Sequence, residues 1–209
     1  MSNPFPKSVV MVAGEASGDL HGARLIDALR KRLPGIRISG AGGAAMKAAG
    51  AHIVVDAHEL SVMGFTAVFL KAPQILRHMA RLKRLLSDCR PDLLILIDFP
   101  DFNLHLAGYA KKIGVPVLYY ISPTVWAWRA GRIHKIKRRV DHMAVILPFE
   151  KPIYAKHGIP ATFVGHPLMD GVPKNNPHAS ATLSDSPGGS GVQSVGTEPF
   201  EASTITIGR

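Results

Sequence analysis

Three short segments combine residue types suited to binding or transforming an anionic, hydroxyl-bearing ligand. The first is Gly14-Glu15-Ala16-Ser17-Gly18-Asp19, set between an apolar run and a helical pattern. Small residues let the backbone approach a ligand, and the following helix offers unpaired N–H groups with partial positive charge, so the loop suits a phosphate. A tight strand-to-helix turn capped by Ser17 or Asp19 fits equally well. The second segment is Asp98-Phe99-Pro100-Asp101-Phe102-Asn103. A carboxylate placed directly after a wholly apolar strand is partly desolvated, which raises its pKa and suits a general base. A structural hydrogen-bonding role for Asp98 carries equal weight, while Asn103 reads as a helix N-cap and Asp101 as a turn residue. The third segment, Ser122-Pro123-Thr124-Val125-Trp126-Ala127-Trp128-Arg129, leads into Arg132, Lys135, Lys137, Arg138 and Arg139. Tryptophans beside cations can stack a base, grip a phosphate or lie at a membrane interface. Core tryptophans next to a solvated basic helix are the alternative.

Other chemistries are disfavoured. The loop is neither G-x-G-x-x-G nor a P-loop. The second strand ends in Ser39-Gly40, without the acidic residue that holds a ribose in nicotinamide-cofactor domains. No His-x-x-x-His or His-x-His pair occurs, and Cys89 is the single cysteine, so neither a metal site nor a disulfide framework is expected. His166, in Gly165-His166-Pro167, reads as a turn residue, and Cys89 as a small buried residue at a helix end.

The elements that must hold these segments alternate between short apolar runs and helical periodicity. Strands are expected at Ser8–Ala13, Ile36–Gly40, His52–Val55, Leu93–Ile97, Val115–Tyr120 and Met143–Leu147. Between them lie a helix carrying Leu25, Ile26, Leu29 and Leu33 and ended by Pro34-Gly35, and a short Ala-rich helix within 42–50. A basic amphipathic helix follows over 74–87, then helices at about 103–113 and 129–139. The βαβα order predicts an α/β fold, a Rossmann-like parallel sheet with helices on both faces. In such sheets ligands bind beyond the carboxyl ends of the strands, where all three segments fall.

Composition bounds the rest. The 209 residues are 46% apolar, enough for one core. No apolar run is long enough to span a membrane, and the first residues lack the apolar stretch of a signal peptide. From about residue 171 onward the chain is rich in Gly, Pro, Ser, Thr and Asn and lacks periodicity, so 171–209 is expected to be a disordered tail beside a domain at 1–170. The tail's charges are Lys174 and Arg209 against Asp185, Glu198 and Glu201, a net of −1, so of the chain's net +10 the domain carries +11. That charge points to an anionic partner. Nucleic acid is disfavoured, because the basic residues sit on amphipathic helices beside apolar patches and lack the interleaved aromatics of a stacking platform.

Six segments taken together, VAGEASGDLHG (Val12 to Gly22), LSVMGF (Leu60 to Phe65), RPDLLILIDFPDFN (Arg90 to Asn103), YYISPTVWAWR (Tyr119 to Arg129), ILPFEK (Ile146 to Lys151) and VGHPLMD (Val164 to Asp170), resemble lipid-A-disaccharide synthase. The resemblance implies an inverting glycosyltransferase of the two-lobed GT-B type. That family joins UDP-2,3-diacylglucosamine to 2,3-diacylglucosamine 1-phosphate, forming a β-1,6-linked disaccharide and releasing UDP. It needs no cofactor or metal, and its lipid substrates imply peripheral attachment to the cytoplasmic face of the inner membrane, an anionic surface.

By the same resemblance Asp98 is the catalytic base and Asp19 a weaker acid–base candidate. Gly14, Glu15, Ser17, Gly18, Asn103, Ser122, Trp126 and Arg129 are expected to bind substrate. Met63, Phe65, Val68, Phe69, Leu70, Ile75 and Leu76, flanked by cations, are expected to dock on lipid, or else to pack a helix on the sheet. Nothing matches the basic LPGSR-type motif of the family's second lobe. The expectation is therefore an N-terminal lobe with a non-family tail, inactive alone and free to self-associate as a homodimer. A non-catalytic membrane-binding lobe is the other reading.

Overall fold

Strands that are apolar at every position are stable only when both faces are covered, and two such strands form the middle of this molecule. The computed structural model describes residues 8–61, 68–123 and 131–167, the side chains of 61 and 68–72 excepted. In chain order the elements are β1 (Ser8–Ala13), α1 (Ala16–Arg32), β2 (Arg37–Gly42), α2 (Ala44–Ala48), β3 (His52–Asp56), α3 (Ala57–Ser61) and α4 (Val68–Cys89). Then follow β4 (Leu93–Ile97), α5 (Pro100–Lys112), β5 (Val117–Tyr120), α6 (Gly131–Arg139), β6 (His142–Val145), α7 (Glu150–Lys156) and β7 (Ala161–Phe163). The sheet is parallel in every pairing, with strand order β3-β2-β1-β4-β5-β6-β7.

Alternation along each central strand divides the core in two. Val10 and Val12 of β1 and Leu94 and Leu96 of β4 face α4, α5 and α6, meeting Leu82, Leu86, Leu106 and Ile136. Val9, Met11, Ala13, Ile95 and Ile97 face the other way, onto Ile26 of α1 and Met46 of α2. Gly40 lets β2 close on β1, since a Cβ there would stand 1.9 Å from the Met11 carbonyl oxygen.

The α/β Rossmann-like fold is as expected, and the bounds of β1 and β4 coincide with the sequence reading. Three helices start earlier than their periodicity suggested. α4 begins at Val68, ahead of 74, with Pro73 inside it. α5 begins at Pro100 and not at Asn103, because proline's fixed φ suits the first helical position. α1 begins at Ala16, which turns most of the expected glycine-rich loop into helix. Cys89 is exposed and not buried.

Candidate active site

The strand order reverses direction between β1 and β4, so the first crossover covers one face and the β4–β5 crossover the other. The carboxyl ends of these two strands therefore flank the crevice where such sheets bind ligands. At this edge the chain leaves β4 through Asp98 at φ 46° and Phe99 at φ 51°. Two successive left-handed residues that are not glycine cost roughly 1–2 kcal/mol each and need external support. The support is buried. The Asp98 carbonyl accepts from the Tyr119 hydroxyl at 2.6 Å and from Asn103 Nδ2 at 2.7 Å. Asn103 Nδ2 also reaches the Ile97 carbonyl at 3.2 Å, and the Asp98 N–H donates to the Tyr120 carbonyl. Burial holds the Tyr119 phenol well above its usual range, so it stays a proton-bearing donor. The Phe99 ring lies over Gly14, where a Cβ would come 2.4 Å from the ring. Any side chain at residue 14 would displace Phe99 and disturb the Asp98 turn.

Around the half-buried Asp98 carboxyl gather groups from segments far apart in sequence. Burial pushes Asp98 above the usual carboxylate range, and the Phe99 N–H and the nearby His21 pull it partly back. His21 is lowered, first by burial, then by Arg24 and His166, with Asp98 opposing. Arg24 Nη1 donates to the Pro167 carbonyl at 2.8 Å, tying the segment after β7 to α1. The His21 ring meets Tyr120 edge-on, centroids 6.5 Å apart, and its Nδ1 has no hydrogen-bond partner among the described residues. Within α1, Ser17, His21 and Arg24 share one face at i, i+4 and i+7 spacing.

The coupling can be tested directly. An NMR titration of His21 is expected to give a midpoint below that of an ordinary histidine. Asp98→Asn should lower it further, because a neighbour that favours the imidazolium is gone. A midpoint that rises or stays in place would separate the two groups. Because the folded-state pKa of His21 is depressed, its protonation opposes folding, and this contribution to stability is lost as pH falls through that value.

A model of the lipid-A-disaccharide synthetase family matches residues 9–185. The chain belongs to this family. It is 57% identical over 164 residues to the lipid-A-disaccharide synthase of Syntrophus aciditrophicus, covering 78% of this chain and 43% of that protein. Against the enzyme of Geobacter metallireducens it is 54% identical over 166 residues, covering 79% and 43%. The chain thus spans less than half the length of these relatives. The match to the family model continues past the composition change at residue 170.

Solved structures agree on the fold. A UDP-GlcNAc 2-epimerase from Neisseria meningitidis, bound to UDP-GlcNAc, superimposes with a TM-score of 0.57 at 16% identity, covering 78% of this chain and 47% of that one. The glycotransferase of kitacinnamycin gives 0.53 at 19% identity, covering 88% and 56%.

On the lipid-A-disaccharide synthetase motifs, the expected site residues divide by position. Asp98, Gly14, Glu15 and Ser17 stand at the carboxyl edge, with Glu15 and Ser17 exposed. Gly18 is buried against the Ala13 Cβ, where the missing side chain permits close helix-to-strand packing. Asp19 is also turned inward: its carboxylate accepts from the N–H groups of Gly43 at 2.6 Å, Ala45 at 2.9 Å and Met46 at 3.0 Å, closing the start of α2. It is neither the cap of its own helix nor exposed to the crevice. Asn103, at 0% exposure, supports the Asp98 turn from inside α5 and does not cap it.

Ser122 is buried too, its hydroxyl 2.6 Å from the Tyr154 hydroxyl and near Glu150. Burial pushes Tyr154 up to about 12 and raises Glu150, so this network favours protonated groups. Asp101 pairs with Arg132 at 2.8 Å, joining α5 to α6. Met63, Phe65, Trp126 and Arg129 lie outside the described residues, as do the side chains of Val68, Phe69 and Leu70. Ile75 packs half-buried on the core, and Leu76 is 68% exposed. His21, Arg24 and His166 were not singled out from sequence as site residues. The i, i+4, i+7 spacing of Ser17, His21 and Arg24 was the available signal.

Proposed function

We propose that this chain supplies the acceptor side of a lipid A glycosyltransferase. The reaction joins UDP-2,3-diacylglucosamine to 2,3-diacylglucosamine 1-phosphate and gives the disaccharide 1-phosphate and UDP. The observation that carries this reading is Asp98. It is a desolvated carboxylate on a strained turn at the switch point of the sheet, in a member of the lipid-A-disaccharide synthetase family.

The chemistry follows from its environment. The acceptor 6-hydroxyl attacks the anomeric carbon of the donor, and a new C–O bond forms as the bond to the diphosphate breaks. The bonding electron pair leaves with UDP, and the hydroxyl proton passes to Asp98. Raising the pKa of Asp98 makes its carboxylate a stronger acceptor of that proton. Inversion requires attack from the face opposite the leaving group, so the base belongs on the acceptor side of the crevice. In this reading Glu15 and Ser17 hydrogen-bond sugar hydroxyls, which their exposure at the start of α1 permits. His21, held below its usual pKa, stands beside the Asp98 carboxyl as a neutral ring.

Both substrates carry acyl chains, which places the work at a membrane surface. Among the described residues no helix is long and apolar enough to cross a membrane. Attachment is peripheral in this reading, on the cytoplasmic face of the inner membrane, with exposed Leu76 among the cations of α4 touching lipid.

Titrating the isotopically labelled chain with micelle-dispersed 2,3-diacylglucosamine 1-phosphate tests the site. Saturable shifts at His21, Asp98 and His166 are expected. Saturation with shifts confined to the amino edge of the sheet would remove this crevice as the acceptor site.

A further inference from the structure

At the far end of α5 from Asp98, about 18 Å along the helix, a second concentration of charge remains unassigned. A groove of about 500 Å³ between α4, α5 and α6 is lined by Lys83, His105, Lys111, Lys112, Arg138 and Arg139, with Gly108 and Tyr109 beneath them. Among the described residues no carboxylate lines it. Asp141, outside the lining, pairs with Lys111. Other cations are held in place by uncharged partners. Lys83 Nζ stands 5.5 Å from the centre of the Tyr109 ring. Tyr109 is itself fixed by the Ser87 hydroxyl at 2.6 Å. Arg139 Nη1 donates to the Leu104 carbonyl at 2.9 Å, and its guanidinium packs closely on Gly108, where a Cβ would stand 3.2 Å from Nε.

Cations at the ends of α5 and α6 also complement the helix dipoles, which accounts for part of the cluster. It does not account for Lys83, which precedes the last turn of α4. Cations ordered by a carbonyl and an aromatic ring keep their charge and lose little further entropy on meeting an anion. Along α4, Leu76 and Lys83 lie on one stripe at i, i+7, about 10 Å apart. Leu76 is a largely exposed apolar residue on that stripe. An apolar contact beside a phosphate-sized charge cluster matches a phospholipid at the membrane interface.

We propose that this groove binds the phosphate headgroup of an anionic phospholipid and so orients the lobe on the membrane. The proposal rests on the peripheral attachment argued above and adds to it a specific headgroup site.

Vesicle co-sedimentation of the full chain tests it, with phosphatidylcholine vesicles and with vesicles of about one-third phosphatidylglycerol. Lys112→Gln/Arg138→Gln removes two exposed groove charges without touching a contact between elements. It is expected to weaken binding to the anionic vesicles by about 30-fold. A control, Lys31→Gln/Arg32→Gln, removes the same charge from the end of α1 and should change binding less than about 2-fold. Equal losses in both variants would reduce the effect to net charge and overturn the site. Tight vesicle binding unaffected by the groove variant would overturn the site and leave membrane attachment standing. No preference for anionic over neutral vesicles would overturn the headgroup proposal. If inorganic pyrophosphate also binds saturably in that case, dependent on Lys112 and Arg138, the groove takes a soluble phosphate ligand instead.

Discussion

Asp98→Asn is expected to lower kcat for glycosyl transfer by ~10²–10⁴-fold in an enzyme built on this lobe, with the KM for the acceptor changed only a few-fold. UDP release measured at saturating substrates checks this. The asparagine keeps the shape of the side chain and can still accept from the Phe99 N–H, so the strained turn is retained. What it loses is the capacity to take a proton. A rate within a few-fold of the unsubstituted enzyme would remove Asp98 from the role of base.

The same substitution has an opposite effect on stability, measurable on this chain alone. Burial raises the folded-state pKa of Asp98, so folding favours its protonated form. That contribution is fully present below the ordinary carboxylate pKa and is lost as pH rises through the raised value. The amide that replaces the carboxylate carries no charge to desolvate. The variant is therefore expected to melt at a higher temperature than the unsubstituted chain at neutral pH, with the difference shrinking in acid. A variant that loses activity and gains stability identifies a group kept for chemistry at a cost to the fold.

Asp19→Ala should do the reverse, destabilising the fold without acting on the chemical step. The carboxylate satisfies three N–H groups at the start of α2. Hydrogen bonds to a charged acceptor contribute about 1.5–3 kcal/mol each and are not additive, so an overall loss of about 3 kcal/mol is expected. Urea denaturation with an unchanged m-value checks it. Gly43 sets the geometry: a Cβ there would stand 2.6 Å from Asp19 Oδ2, so the carboxylate is packed directly on the turn after β2. Any activity loss in this variant should follow the fraction unfolded and recover on cooling. A well-folded, inactive Asp19→Ala would restore Asp19 as an acid–base candidate.

The central strands were legible because burial on both faces leaves a local trace. Ser8–Ala13 and Leu93–Ile97 read as near-continuous apolar runs, and no neighbour is needed to see it. The parallel order follows from helices alternating with such runs. The position of Asp98 follows from its place just after one of them. The desolvation of Asp98 was expected from that place, and burial is indeed the first cause of its raised pKa.

The rest of the site was decided by contacts between distant segments. Asp19, Asn103 and Ser122 are polar residues beside promising loops, and each faces inward onto a partner that no local pattern reveals. For Asp19 the partners are backbone groups of α2, for Asn103 the carbonyls of the turn it supports, and for Ser122 the phenol of Tyr154. His21 and His166 belong to opposite ends of the folded region and show no motif spacing. The sheet brings α1 and the segment after β7 to one edge, and Arg24 joins them.

Local sequence carries the periodicity of burial, because each residue's exposure follows from the element it sits in. It does not carry the neighbours of a carboxylate, whose pKa depends on charges and dielectric fixed only when the strands are laid side by side.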